Sequence, residues 1–307
     1  MEDYNKIIES LSVRFIKAKN IRILQPLTIT NYYDVENMII YVHRGEIKYG
    51  KDKEVVKEGE FLFVPGGKMV PITYGSGYPI SLTNDDFISK RDNFFSSFTY
   101  DELESITDEC YSYLNMDAKV FDSVNFFASL DIPPFVIREN STVKTLFFSI
   151  LRENRSLVPG SKRVMKLQVD QLVVEVIRHV LQKQLFVEQL ATNSTYFKDP
   201  RLIDIFAFIK ENLEGDLSNK ILANVANVSE DYVGQYFKML TGINPQDYIE
   251  YQRMETAVNL LRTSKKSIRE IGKDVGYKDT AYFCRRFKMM FGIPAGKMRR
   301  RESLINI

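Results

Sequence analysis

Apolar residues change their spacing twice along this 307-residue chain. Between residues 20 and 82 they fall in short runs rich in β-branched and aromatic side chains, such as Ile39-Ile40-Tyr41-Val42 and Phe61-Leu62-Phe63-Val64. Runs of this kind predict strands. Turn signals separate them at Arg44-Gly45, Tyr49-Gly50, Glu58-Gly59, Pro65-Gly66-Gly67 and Gly75-Ser76-Gly77. Short strands with a turn about every ten residues predict an antiparallel barrel or sandwich. Residues 83–138 show no clear period, and Asp131-Ile132-Pro133-Pro134 is a break.

From Thr142 to Arg152 and from Ser161 to Leu185 the period becomes helical. In the second stretch Met165, Val169, Leu172, Val173, Val176, Val180 and Leu181 recur at three- and four-residue steps, with Ser161 placed to cap. A stripe this broad has two readings: packing on the chain's own barrel, or an antiparallel homodimer contact through 161–185. Residues 188–200, polar and closed by Pro200, form the expected linker. A helix is predicted to start near Arg201, with Ile203, Phe206, Ile209 and Leu213 on one face, and to end at Gly215.

The last third contains an internal repeat. Leu222-Ala223 stands 49 residues before Ile271-Gly272, and Asn227-Val228 stands 49 before Gly276-Tyr277. The offset then becomes 50 for Tyr232-Val233 with Tyr282-Phe283, Phe237-Lys238 with Phe287-Lys288, and Gly242-Ile243 with Gly292-Ile293. The slip falls in a turn, where insertions are tolerated. Each copy reads as helix, tight turn, helix. Asn227 and Gly276 fall where the backbone must be left-handed, which glycine adopts freely and asparagine tolerates. Ser229 and Asp279 are placed to cap the second helices. Val233, Phe237, Leu240 and Phe283, Phe287, Met290 have the spacing of a buried face, which Tyr232 and Tyr282 are expected to join. Gly242 and Gly292 end those helices. Between the copies, Asn244-Pro245 opens a helix to about Leu261, with Tyr248, Met254, Ala257 and Leu261 inside. A stiff rod between two readers would set their separation, since successive major grooves on one face of B-DNA lie about 34 Å apart.

The stretches LAxxxxVSxxYVxxYFKxxxG, GINPxxYIEYQRMETAVNLLRTS and SIREIGKDVGYKDTAYFCRRFKxxFGI together resemble the AraC/XylS family of transcription regulators. The resemblance covers roughly 100 residues, and the first 187 are similar, less specifically, to that family's effector-binding half. It implies an α+β multi-domain protein. Residues 1–187 would form a cupin-like β-barrel with α-helices, for effector binding and dimerisation. The linker 188–200 would follow, then an all-α domain of two helix-turn-helix units over 201–301. Two departures stand out. Where the family closes with Gly-x-x-Pro-x-x-Tyr-Arg, this chain reads Gly292-Ile293-Pro294-Ala295-Gly296-Lys297-Met298-Arg299, and Asn227 replaces the glycine of the first turn.

Carried over position by position, the DNA-facing residues are Asp231, Gly234, Gln235 and Lys238 on the first reader helix. On the second they are Thr280, Ala281, Cys284, Arg285 and Lys288. Gln235 suits adenine and Arg285 guanine, while Lys238 and Lys288 suit phosphates. Asp231 repels phosphate and Gly234 carries no readout, so the second unit is expected to supply more specificity. Lys265-Lys266 and the basic end Lys297, Arg299, Arg300 and Arg301 are either phosphate contacts or solvated charge.

Charge agrees with this division. From residue 201 onward there are 18 Lys+Arg against 13 Asp+Glu, and before it 24 against 27. A basic C-terminal part beside a mildly acidic one fits a DNA module joined to another module. No apolar run approaches the ~20 residues of a membrane span, and the opening MEDYNKIIES lacks the pattern of a secretory signal, so a cytoplasmic bacterial protein is expected. In the N-terminal half, Ile39, Tyr41, His43, Phe61 and Phe63 share strand faces and are the candidate effector residues, with a dry core as the competing reading. The only histidines are His43 and His179, and Cys110 and Cys284 stand far apart. This argues against a metal site, a disulfide framework or a cupin-type metal enzyme, and no cofactor or catalytic residue is expected. The expected partners are double-stranded DNA, RNA polymerase and a small-molecule effector. Control by a protein partner through a ligand-free N-terminal domain is the alternative.

Overall fold

The computed structural model describes residues 8–9, 11–120, 124–156, 158–187, 190, 199–241 and 244–299. The chain divides into two compact units, residues 1–187 and 188–307. Most of the expected linker, together with Gly242, Arg300 and Arg301, lies outside the described residues.

The N-terminal unit is β-rich. Its strands are β1 (Leu11–Ile23), β2 (Leu27–Tyr32), β3 (Asn37–Arg44), β4 (Ile47–Tyr49), β5 (Glu54–Val56), β6 (Phe61–Val64), β7 (Val70–Tyr74), β8 (Ile80–Leu82), β9 (Phe95–Ser97), β10 (Cys110–Val120), β11 (Val124–Asn125) and β12 (Phe135–Ile137). One sheet runs β12-β6-β3-β10-β1-β9, with β11 beside β10, and the other runs β5-β4-β7-β2-β8. The longest pairing joins β1 to β10 antiparallel, from Leu11 opposite Val120 to Arg22 opposite Cys110. Between the sheets lies a shared apolar core. It takes Met38, Ile40 and Val42 from β3, Leu62 and Val64 from β6, and Ile72 and Tyr74 from β7.

The outer face of the first sheet is covered by helices α2 (Phe126–Ser129), α3 (Ser141–Glu153) and α4 (Ser161–Gln182), which follow the short α1 (Asn84–Lys90). Asn140 caps α3 by accepting from the Val143 amide. The cap position of α4 is Gly160, at φ +93, and Ser161 is the first helical residue rather than the cap. Val169, Leu172, Val173, Val176 and Val180 of α4 are buried, as their spacing predicts, and the helix packs on α3 and β1. The broad stripe therefore covers the unit's own sheet. Burial of each such side chain contributes about 1.5–3 kcal/mol.

The C-terminal unit is helical: α5 (Pro200–Glu211), α6 (Asn219–Ala226), α7 (Glu230–Thr241), α8 (Pro245–Thr263), α9 (Ile268–Asp274) and α10 (Thr280–Phe291). The buried face of α5 is Leu202, Ile205, Phe206 and Ile209, a small rotation from the predicted one. Phe206 stacks near Phe237 and Tyr248, at 5.6 and 5.0 Å between ring centres. The second unit is centred on Phe283, Phe287 and Phe291, while Met290, expected on that face, is half-buried. Tyr248, Met254, Ala257 and Leu261 of α8 are all buried, as predicted.

Candidate nucleic-acid interface

Both helix-turn-helix units close their turns as the sequence requires. Asn227 ends α6 at φ +52 and Gly276 follows α9 at φ +84, both left-handed. A Cβ on Gly276 would stand 2.5 Å from the Leu213 carbonyl oxygen and 2.8 Å from the Arg253 guanidinium carbon. Glycine is therefore required there by space as well as by conformation. Asp279 caps α10 by accepting from the Tyr282 amide, and Ser267 and Glu270 form a capping box on α9. Gly292, at φ +72, ends α10. Asn244 caps α8 with Pro245 in its first turn.

The second helices of the two units, α7 and α10, turn their candidate residues away from the core. Asp231, Gln235 and Lys238 are exposed and Gly234 is half-buried. These four border one surface hollow of ≈ 440 Å³ with Asn219, Asn244 and Gln246. On α10, Ala281, Arg285 and Lys288 are exposed, while Thr280 and Cys284 are half-buried. Tyr232 and Tyr282 depart from expectation. They are 43% and 47% exposed, so they belong to the outward face. The inward position on α7 is taken by Tyr236, which shares the three- and four-residue steps of Val233 and Phe237. The Arg285 guanidinium stands 5.9 Å over the Tyr282 ring, a cation–π contact on the outward face of α10.

Sequence reasoning missed the groups that join the units to the rod α8. Glu250 of α8 accepts from both Nε and the NH2 group of Arg286 on α10 and receives the Tyr277 hydroxyl. Those bonds raise the Arg286 pKa, while burial and then Glu250 raise that of Tyr277. One turn along α8, Arg253 donates to the carbonyls of Leu213 (2.9 Å) and Gly215 (3.0 Å) beyond the end of α5. Its guanidinium also faces the Tyr277 ring at 6.0 Å. Desolvation lowers its pKa. The first unit meets α8 through Gln246 Nε2, 3.0 Å from the Leu217 carbonyl and 3.4 Å from Asn219 Oδ1, and through the Phe237–Tyr248 ring pair at 5.6 Å. Partners 27–40 residues apart leave no local periodic signal.

At the far end, Pro294 starts a short final turn and Met298, in the family's tyrosine position, is 3% exposed, so it packs inside. Arg299 donates to the Lys266 carbonyl, and Lys266 pairs with Asp274 at 2.7 Å. These two cations are engaged within the unit.

A helix-turn-helix domain model matches residues 222–301. The Transposon Tn10 TetD protein of Escherichia coli is 31% identical over 114 residues, 37% of this chain and 83% of TetD. The chain belongs to the AraC/XylS family of transcription regulators. A second family member, the lactose operon transcription activator of Staphylococcus xylosus, is 31% identical over 99 residues, 32% of this chain and 36% of that protein. The chain spans about a third to a half of the length of the longer curated relatives it matches. Over both units the fold is that of ToxT from Vibrio cholerae, with a TM-score of 0.54 at 11% identity, covering 95% of this chain and 98% of ToxT. ToxT has also been solved with an unsaturated fatty acid bound, at a TM-score of 0.50 and 12% identity over 94% of this chain and 95% of ToxT.

Ile39, Tyr41, Phe61 and Phe63 are buried on the helix-covered face of the first sheet, while the neighbouring positions Ile40, Leu62 and Val64 face the space between the sheets. Tyr41 meets Phe147 and Phe148 of α3, Phe61 meets Phe147, and Phe63 meets Phe127 of α2. His43 belongs to a polar chain on that same face. Its Nε2 lies 2.7 Å from Ser112 Oγ, which donates to Asn20 Oδ1 at 2.7 Å. Burial, then Arg44 and Lys144, push the His43 pKa down to about 4. It is neutral near pH 7, donating Nε2–H to Ser112. Among the described residues no group of three or more His, Cys, Asp or Glu is placed to hold a metal ion, and no helix is long and apolar enough to cross a membrane.

Proposed function

We propose that this chain is a sequence-specific double-stranded-DNA-binding transcription regulator, acting as an activator under the control of a small-molecule effector. The observation that carries the reading is the pair of repeat-related helices α7 and α10. Their outward faces bear Gln235, Lys238, Arg285 and Lys288, and one rod, α8, joins their units through Glu250, Arg253 and Gln246. Arginine and glutamine read guanine and adenine by paired hydrogen bonds, while the lysines neutralise phosphates and release counterions. Activation rests on the kinship to an operon activator and implies RNA polymerase as a partner. The assigned surroundings are the cytoplasm, and the assigned role is regulation rather than catalysis.

Effector control is assigned to residues 1–187. Support comes from the ToxT-like fold, since ToxT is known with a fatty acid bound. Self-association through 161–185 has a narrower basis than the sequence suggested, because the middle of α4 is buried. What remains for a partner is its first two turns, where Val164 and Leu167 are 41% and 53% exposed. The test is to map the genomic sites of the tagged full chain. Binding concentrated upstream of operons, with expression falling when the chain is deleted, is the expected result. Occupancy that is diffuse and unrelated to sequence would overturn the reading.

A further inference from the structure

A cleft of ≈ 910 Å³ opens on the outer face of the N-terminal unit, outside the core between the sheets. Its walls are the β6–β12 edge, the start of α3 and the end of α4. Phe61 and Val136 supply apolar surface, and Asn140, Lys144, His179 and Lys183 supply polar groups. Ligand pockets for small molecules fall in this size range and combine an apolar lining with a few placed polar groups.

His179 is the informative group. It is 6% exposed, and Asn140 is the one hydrogen-bond partner of its ring among the described residues, at 3.3 Å from Nδ1. The Asn140 oxygen already accepts from the Val143 amide. Its amide nitrogen therefore donates to Nδ1, and the ring proton sits on Nε2. Burial and the nearby Lys183 lower the His179 pKa, which keeps the ring neutral with one N–H to offer. The start of α3 lies in the same wall, and its first backbone N–H groups favour negative charge.

The charges narrow the ligand further. Arg138 is engaged, since its Nε donates to Glu60 at 2.9 Å. Lys144 and Lys183 make no ion pair among the described residues, and Lys144 stands 5.4 Å over the Tyr41 ring. Exposed Glu58 and Glu139 sit on the same lining. A dianion would meet repulsion from them, whereas a single negative charge is matched by two lysines and one N–H.

We propose that this cleft binds a monocarboxylate with an apolar body, its carboxylate held by His179 Nε2–H, Lys144 and Lys183, and its body lying against Phe61 and Val136. This rests on the effector reading above and names the class of effector. His179 and Lys183 belong to the end of α4, from which the chain continues toward the DNA-binding unit. An occupant joining them to the start of α3 bears on the element that precedes the junction.

Calorimetric titration of the full chain with hexanoate, octanoate and 3-phenylpropanoate tests this, with hexan-1-ol and hexylammonium as counterparts and no DNA present. The expected result is saturable one-to-one binding of at least one acid, with the alcohol and the amine tenfold weaker or absent. Lys144→Met and Lys183→Gln change exposed side chains and should leave the circular dichroism spectrum unchanged, and each should weaken the acid at least fivefold. His179→Phe should abolish binding; if that chain fails to fold, the two lysine variants still decide the matter. No saturable binding of any of the three acids, equal binding of hexan-1-ol, or affinity unchanged in both lysine variants would overturn the proposal. Because DNA is absent from the titration, its failure leaves the DNA-binding reading standing. A chain that binds the acid but no operator sinks that reading alone.

Discussion

The two helix-turn-helix units follow one plan and are seated in two ways. In the first, an asparagine makes the left-handed turn, and the second helix shows Asp231 to the outside with Gln235 and Lys238, Gly234 being half-buried. In the second, the turn glycine is wedged against the Leu213 carbonyl and Arg253. Its reader helix shows Arg285 and Lys288 and is clamped to the rod by Arg286 and Glu250. Two copies of a repeat have diverged so that one has the more basic second helix and an ion pair to the rod, where the other has aromatic and amide contacts. We propose from this difference that the second unit supplies more of the readout than the first.

The comparison breaks most readily at the turns. Gly276→Ala imposes a left-handed strain of about 1–2 kcal/mol and an overpacking cost of about 1–3 kcal/mol. Denaturant melts of the C-terminal unit should therefore show a loss of roughly 2–5 kcal/mol. Asn227→Ala, with no such crowding assigned to it, should cost about 1 kcal/mol. Equal costs would mean that the two turns are seated alike.

A somewhat smaller effect is expected on binding. Arg285→Ala should weaken a specific duplex by about 1–3 kcal/mol, on the order of tenfold to a hundredfold, and flatten preference at one base position. Gln235→Ala should cost less. Fluorescence anisotropy on a matched duplex measures both, and an Arg285→Ala chain that binds like the parent would remove the second unit's priority.

Glu250→Gln is expected to act more through geometry than through affinity. A partly exposed ion pair contributes about 1 kcal/mol or less, so the loss of affinity should be a few-fold. Releasing Arg286 should also reduce the penalty for adding one base pair between the two half-sites. If that penalty is unchanged, the clamp does not set the spacing. The smallest effect is Asp231→Asn, which removes a charge that opposes phosphate. It should raise affinity about two- to threefold at low salt, an advantage that fades as salt screens it.

Much of this was legible in the sequence, for reasons that can be named. A repeat with caps and left-handed turns at fixed offsets is a local signal, and Asn227, Gly276, Asp279, Asn244 and Gly292 all adopt the geometry it implies. The faces of β3 and β6 were not legible. Asn37–Val42 and Phe61–Val64 are buried throughout because both faces of that sheet are covered. The alternation that would separate core from outer face is then absent. The strand residues alone therefore do not say that Tyr41, Phe61 and Phe63 meet the helices while Ile40, Leu62 and Val64 meet the other sheet. Tyr232 and Tyr282 were misplaced by aromatic character, although their helical phase sets them beside the exposed positions. The Glu250–Arg286 clamp and the His179 cleft depend on groups brought together from distant elements, which no periodicity encodes.

The central claim is that two rod-linked helices read successive major grooves. Selection of bound duplexes from a randomised pool by the full chain, repeated at rising salt, tests it directly. The account predicts an enriched site with two blocks centred about one helical turn apart, more information in one block than in the other, and affinity falling steeply with salt. A well-folded chain that enriches no sequence even at low salt would contradict it.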